Sequence, residues 1–138
     1  MHPFFRRLFL LLMPFLIIGC TTVHMVQCTV PDNDTNRLTV TNLVASVATK
    51  HAFVGHPEQT DQTALLASYN LLDAASKRPL ELDVYAEAGT ITALLTQTTK
   101  NKTRPDTFFS VERDLVTGFK GKFGSAVEVD ISHEKAEP

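Results

Sequence analysis

Apolar residues follow three spacings along the chain. An unbroken run opens it, from Leu8 to Ile18. Farther on, Val40, Leu43, Val44, Val47 and Ala48 recur at three and four residues and predict a helix over 36–53, capped by Asp34 or Thr35 and stopped by Gly55 and Pro57. Between these patterns, Thr21 to Thr35 ends in VPDNDT and keeps no period, which predicts a tether. GHPEQTDQT then reads as a loop, Ala64 to Leu72 as a short apolar strand, and DAASKRP as a turn.

The clearest pattern is strict alternation. Leu80, Leu82, Val84 and Ala86 alternate with Glu81, Asp83, Tyr85 and Glu87, the period of a half-buried strand. Ala88-Gly89 predicts a turn, after which Ile91, Ala93 and Leu95 alternate with Thr90, Thr92, Leu94 and Thr96. Setting Val84 against Ala93 brings Leu82 to Leu95 and Ala86 to Ile91, so one register serves both apolar faces.

Beyond KNKTRPDT, with Asp106 or Thr107 as cap, Phe108, Val111, Leu115, Phe119 and Phe123 form an aromatic-rich helical stripe. Gly118 and Gly121 lie within it, suggesting close packing or fraying, and Gly124 predicts its stop. Val127, Val129 and Ile131 alternate as a last strand before a charged tail. The expected fold is α+β, in the order α-β-β-β-α-β. It is a two-layer sandwich whose four-stranded, mostly antiparallel sheet carries both helices on one face. One domain over 36–132 follows a leading apolar segment, 1–19, and a tether segment, 20–35; residues 133–138 form the tail.

Composition narrows the class of ligand. The 138 residues are 43% apolar and carry 13 basic against 15 acidic side chains. Removing residues 1–19 takes away Arg6 and Arg7, leaving 11 basic residues and a net charge of −4. Nucleic-acid binding depends on clustered Lys and Arg, so no nucleic-acid partner is expected. The α-β-β-β-α order also occurs in double-stranded-RNA-binding domains, but the acidic balance counts against that function.

The first nineteen residues have the layout of a secretory signal: Arg6 and Arg7, the apolar run, then Gly19 and Cys20. The run is shorter than the roughly 20 residues a membrane helix needs. At its end, Ile17-Ile18-Gly19-Cys20 resembles the lipobox of bacterial lipoproteins, with Ile17 standing where leucine is commonest. The resemblance implies a diacylglycerol on the Cys20 sulfur, cleavage before Cys20 and acylation of the new amino group. Two or more acyl chains make such an anchor stable, so membrane lipid is an expected partner. Thr21 is not the aspartate that retains many lipoproteins at the inner membrane, which favours the inner leaflet of the outer membrane, facing the periplasm. Arg6-Arg7-Leu8-Phe9-Leu10 also resembles a twin-arginine core, although Phe5 replaces the usual Ser or Thr and the following Lys is missing.

Candidate chemistry is sparse. Cys28 is expected to be a tether thiol, free or paired between chains. His51 and His56 joined by Glu58, or His24 with Cys28, are weak metal sets, and no metal or cofactor is expected. The acids Glu81, Asp83, Glu87, Glu128 and Asp130 could hold a carboxylate pair for hydrolysis, yet they read better as the polar side of a sheet. Tyr85, Thr92 and Leu94 share a mixed surface suited to docking an envelope protein. The expected function is therefore a non-enzymatic interaction or accessory lipoprotein, with a small-ligand or metal-binding lipoprotein as the alternative.

Overall fold

Six strands and two helices build the structure, a computed structural model that describes residues 21–56, 64–100 and 105–136, the last three as backbone. They are β1 (Thr21–Pro31), α1 (Asp34–Lys50), β2 (Val54–Gly55), β3 (Leu65–Leu72), β4 (Pro79–Glu87), β5 (Thr90–Thr99), α2 (Asp106–Phe123) and β6 (Glu128–Ala136). The class is α+β, as expected. The sheet has six strands where four were expected, in the order β2-β3-β4-β5-β1-β6, and every pairing is antiparallel.

The largest departure lies in the expected tether. Thr21–Pro31 is an interior strand, bonded to β5 on one side and β6 on the other. Its threonines and valines favour extended backbone. Thr22, His24, Val26, Cys28 and Val30, all buried, share one face. Polar residues at the first two of these positions obscure the alternation. The domain thus starts some fifteen residues earlier than the apolar periodicity suggests. At the other end β6 runs through the first residues of the expected tail.

The turn from β1 into α1 is closed by side chains. Asn33, not Asp34 or Thr35, is the cap: its Oδ1 accepts the Asn36 N–H at 2.8 Å. Arg37 adds two 2.7 Å bonds to Asp32. Helix α1 ends at Lys50, before Gly55, because Ala52 adopts a left-handed conformation (φ 61°) and Phe53 N–H returns to the Ala48 carbonyl at 2.9 Å.

The β4–β5 hairpin has the expected register, with Leu82 opposite Leu95, Val84 opposite Ala93 and Ala86 opposite Ile91. Ala88 (φ 53°) and Gly89 (φ 81°) turn it; positive φ at both central positions suits the twist of a two-residue hairpin.

One core cluster joins these elements. It combines Val40, Val44, Val47 and Ala48 of α1 with Phe108, Val111, Leu115 and Phe119 of α2. The strands add Val26, Cys28, Val30, Leu80, Leu82, Val84, Ile91, Ala93 and Leu95. Of the two glycines in α2, Gly118 marks close approach: a Cβ there would stand 2.6 Å from Leu43 Cδ1, whereas one at Gly121 meets nothing within 4 Å. Gly121→Ala is accordingly expected to raise stability by about 0.5–1 kcal/mol through helix propensity. Gly118→Val should lower it, since the branched side chain must displace Leu43. Thermal denaturation of both variants checks the opposite signs.

Candidate functional site

Two groups of polar residues stand out, one on each face of the sheet. The first contains the proposed docking residues. Tyr85 and Thr92 are register partners, Thr92 also meets Thr29 with 3.1 Å between their hydroxyls, and Leu94 lies opposite Asp83 and Gln27. The structure brings the three expected residues together, each half-buried. The Tyr85 hydroxyl donates to Asp83 Oδ2 at 3.3 Å. Burial, the Asp83 charge and that bond push the phenol well above its ordinary range.

Asp83 also accepts a 2.6 Å bond from Ser68 Oγ. Burial raises its carboxyl above the ordinary value, against the bonds from Ser68 and Tyr85 and the proximity of His56. Glu81, although exposed along one side, is raised by partial desolvation among its neighbours and by Asp83. The remaining acids of the expected row are not brought to them. Strands β5 and β1 intervene between β4 and β6, so Glu128 and Asp130 stand roughly 14 Å away across three strand spacings. A carboxylate pair spanning the two strands is thereby excluded.

The second group lies on the other face, where β1 begins. Asp73, in the β3–β4 turn, is buried and accepts four bonds: from Ala75 N–H (3.2 Å), Ser76 Oγ (2.6 Å), Gln97 Nε2 (3.4 Å) and Thr107 Oγ1 (3.2 Å). Burial alone would raise its carboxyl, but the four donors together hold it below the usual range. Gln97 Nε2 also reaches the Arg78 carbonyl at 3.3 Å. Asp73 therefore ties the β3–β4 turn, β5 and the first turn of α2 together. Sequence reading missed it because its partners are scattered along the chain.

Beside it, His24 is fully buried, with Nδ1 2.7 Å from His133 Nδ1, Nε2 2.9 Å from Thr99 Oγ1, and its ring 5.6 Å from that of Phe108. Only one proton fits between the facing nitrogens, so one imidazole donates and the other accepts.

The other candidates are accounted for individually. His51 Nε2 lies 2.7 Å from Asp114 Oδ2, which Lys50 also reaches at 3.0 Å; bonds from Lys50 and His51 hold the Asp114 carboxyl below its usual range. The backbone N–H of His56 donates to Ser68 at 2.8 Å. Four residues of extended strand, about 13 Å, separate His24 from Cys28. Among the described residues no group of three or more His, Cys, Asp or Glu could hold a metal ion. Glu58, Ile17, Ile18, Gly19 and Cys20 lie outside the described residues.

Cys28 is a core residue, contrary to the expected tether thiol. It is free, fully buried, and opposite Ala93 and Val129. Burial pushes its thiol up to about 12, against a lesser pull from Lys120. In a Cys20→Ser variant, Cys28 is expected to resist a thiol reagent at pH 8 and to react once denatured. Rapid labelling of the folded protein would contradict this burial.

Neither a protein-family model nor a curated protein sequence matches the chain. Among the described residues no helix is long and apolar enough to cross a membrane.

Proposed function

We propose that this protein is a lipid-anchored lipoprotein of the bacterial cell envelope, held at the inner leaflet of the outer membrane with its domain facing the periplasm. It acts as a non-enzymatic interaction or accessory module. The observation that carries the reading is Ile17-Ile18-Gly19-Cys20, a small residue and cysteine closing a Leu-rich run behind Arg6 and Arg7. One structural fact supports it. Cys28 is buried, which leaves Cys20 as the cysteine whose chemistry the reading needs.

Within this reading the domain is a two-layer sandwich, with α1 and α2 over one face of the sheet. The single core cluster shared by both helices and by one face of β1, β4 and β5 supports that arrangement. The other face, centred on Tyr85, Thr92 and Leu94, is then the surface that docks an envelope partner. Crosslinking in intact cells tests the docking role. A variant carrying Tyr85→Ala and Leu94→Asp, confirmed folded by circular dichroism, is expected to lose at least one crosslinked species while remaining membrane-bound. Recovery of the same species from both forms would contradict the docking face.

A further inference from the structure

Strand β1 leaves no slack after the proposed anchor. Adjacent Cα atoms are about 3.8 Å apart, so Thr21, already in the sheet, lies one residue step from Cys20. The end of the sheet where β1 starts must then meet the lipid headgroups. Register identifies what else lies there. Thr22 is opposite Thr99 of β5 and Lys135 of β6. Beyond Pro79 and Leu72 the ladder continues through the 3.2 Å bond from Asp73 N–H to the Arg78 carbonyl. This end is therefore built from Thr21 and Thr22, the close of β5 with Lys100, the 73–78 turn, Leu72, and nearby β2.

Its surface is basic and apolar. Lys77 and Lys100 are exposed, Arg78 is half-buried, and Leu72 and Val54 are 67% and 63% exposed. Among the described residues the acids at this end are the exposed Asp106, Glu134, which register sets opposite Val23, and the buried Asp73, whose carboxylate is already occupied by four donors. Lys50, at the close of α1, is paired with Asp114. Glu81 lies near this end on the sheet face and is exposed. The opposite end carries Asp34, Glu87, Glu128 and Asp130 against Lys120 and Lys122, with Asp32 and Arg37 paired. Exposed apolar side chains among cationic ones suit the boundary between anionic headgroups and acyl chains.

We propose that this end of the domain, through Lys77, Arg78, Lys100, Leu72 and Val54, docks on an anionic phospholipid surface and holds the domain upright beside its anchor. The proposal rests on the lipid-anchor reading. With β1 directed away from the bilayer, the Tyr85 face stands roughly perpendicular to the membrane.

The test uses the full-length protein purified from membranes and reconstituted in phosphatidylethanolamine vesicles with or without phosphatidylglycerol. Intact mass first establishes whether Cys20 carries lipid. A fluorophore is attached at Leu72→Cys or, at the opposite end, at Ser125→Cys, and quenched by nitroxide lipid. The expected result is at least threefold stronger quenching at position 72 than at 125 in anionic vesicles. The difference should collapse without phosphatidylglycerol, or in a Lys77→Glu Lys100→Glu variant that remains anchored. Equal quenching at the two positions on a lipidated protein would overturn the docking proposal and leave the anchor standing. So would quenching at 72 that is indifferent to both lipid charge and charge reversal. A Cys20 without lipid would overturn both readings.

Discussion

Asp73→Ala is expected to lower the unfolding free energy by about 3 kcal/mol, a large share of the total for a domain of this size. Alanine removes the acceptor for Ala75 N–H, Ser76, Gln97 and Thr107 at once, leaving buried or half-buried donors with nothing to bond. The loss is less than four separate penalties, because water enters the space and Ser76 can still meet Gln97 at 3.2 Å. Asp73→Asn should cost less, since one oxygen remains and the Gln97 amide can turn to present Oε1, which has no partner among the described residues. Urea denaturation of the three forms gives the order.

The pH dependence has a definite sign. The folded Asp73 carboxyl is held below its ordinary value, so the stability it contributes is present above the unfolded pKa of about 4 and is lost as pH falls through the folded value. The gap between wild type and Asp73→Asn should therefore narrow below about pH 4. A gap that stays constant through that range would mean that the carboxylate charge has no part in tying the turn to α2.

Cys20→Ser has the largest expected effect on location. Each buried acyl methylene contributes about 0.8 kcal/mol, and two or more chains turn a marginal attachment into a stable one. Serine lacks the sulfur that would carry the diacylglycerol. The variant should leave the detergent phase on phase partition, or persist as an unprocessed precursor, while wild type stays in the detergent phase at the mature mass. The basic and apolar end of the domain alone cannot replace the anchor, because three cationic residues give salt-sensitive attachment. Wild type should thus resist a 1 M salt wash.

The parts of this fold that were legible in sequence share a property. In β4, and in β5 as far as Leu95, every second residue is apolar and the intervening ones, Leu94 apart, are polar, so alternation gives both the strands and their register. The Phe stripe of α2 works the same way at helical spacing. Strand β1 defeats that logic because its core face begins with Thr22 and His24, whose burial is supported by Thr99 and His133. Those partners lie 75 and 109 residues away. Nothing local signals that such polar positions are interior. β2 is too short to show a period.

The candidate site divides in the same manner. Tyr85, Thr92 and Leu94 could be grouped in advance because a two-residue turn fixes their strands against each other. Asp73 and the His24–His133 pair could not, since each is assembled from segments that meet only when the sheet closes. The expected flexible tether also changes meaning. As a strand, Thr21–Pro31 runs about 36 Å within the sheet, so that a lipid on Cys20, as proposed, would give the domain a fixed height and orientation in place of a free radius of motion.

The lipobox reading is tested most directly by mass spectrometry of the N-terminal peptide from protein isolated from membranes. The account predicts a peptide that begins at Cys20 and carries both a diacylglyceryl group and an amide-linked acyl chain. An unmodified Cys20, or a chain that still begins at Met1, would contradict it.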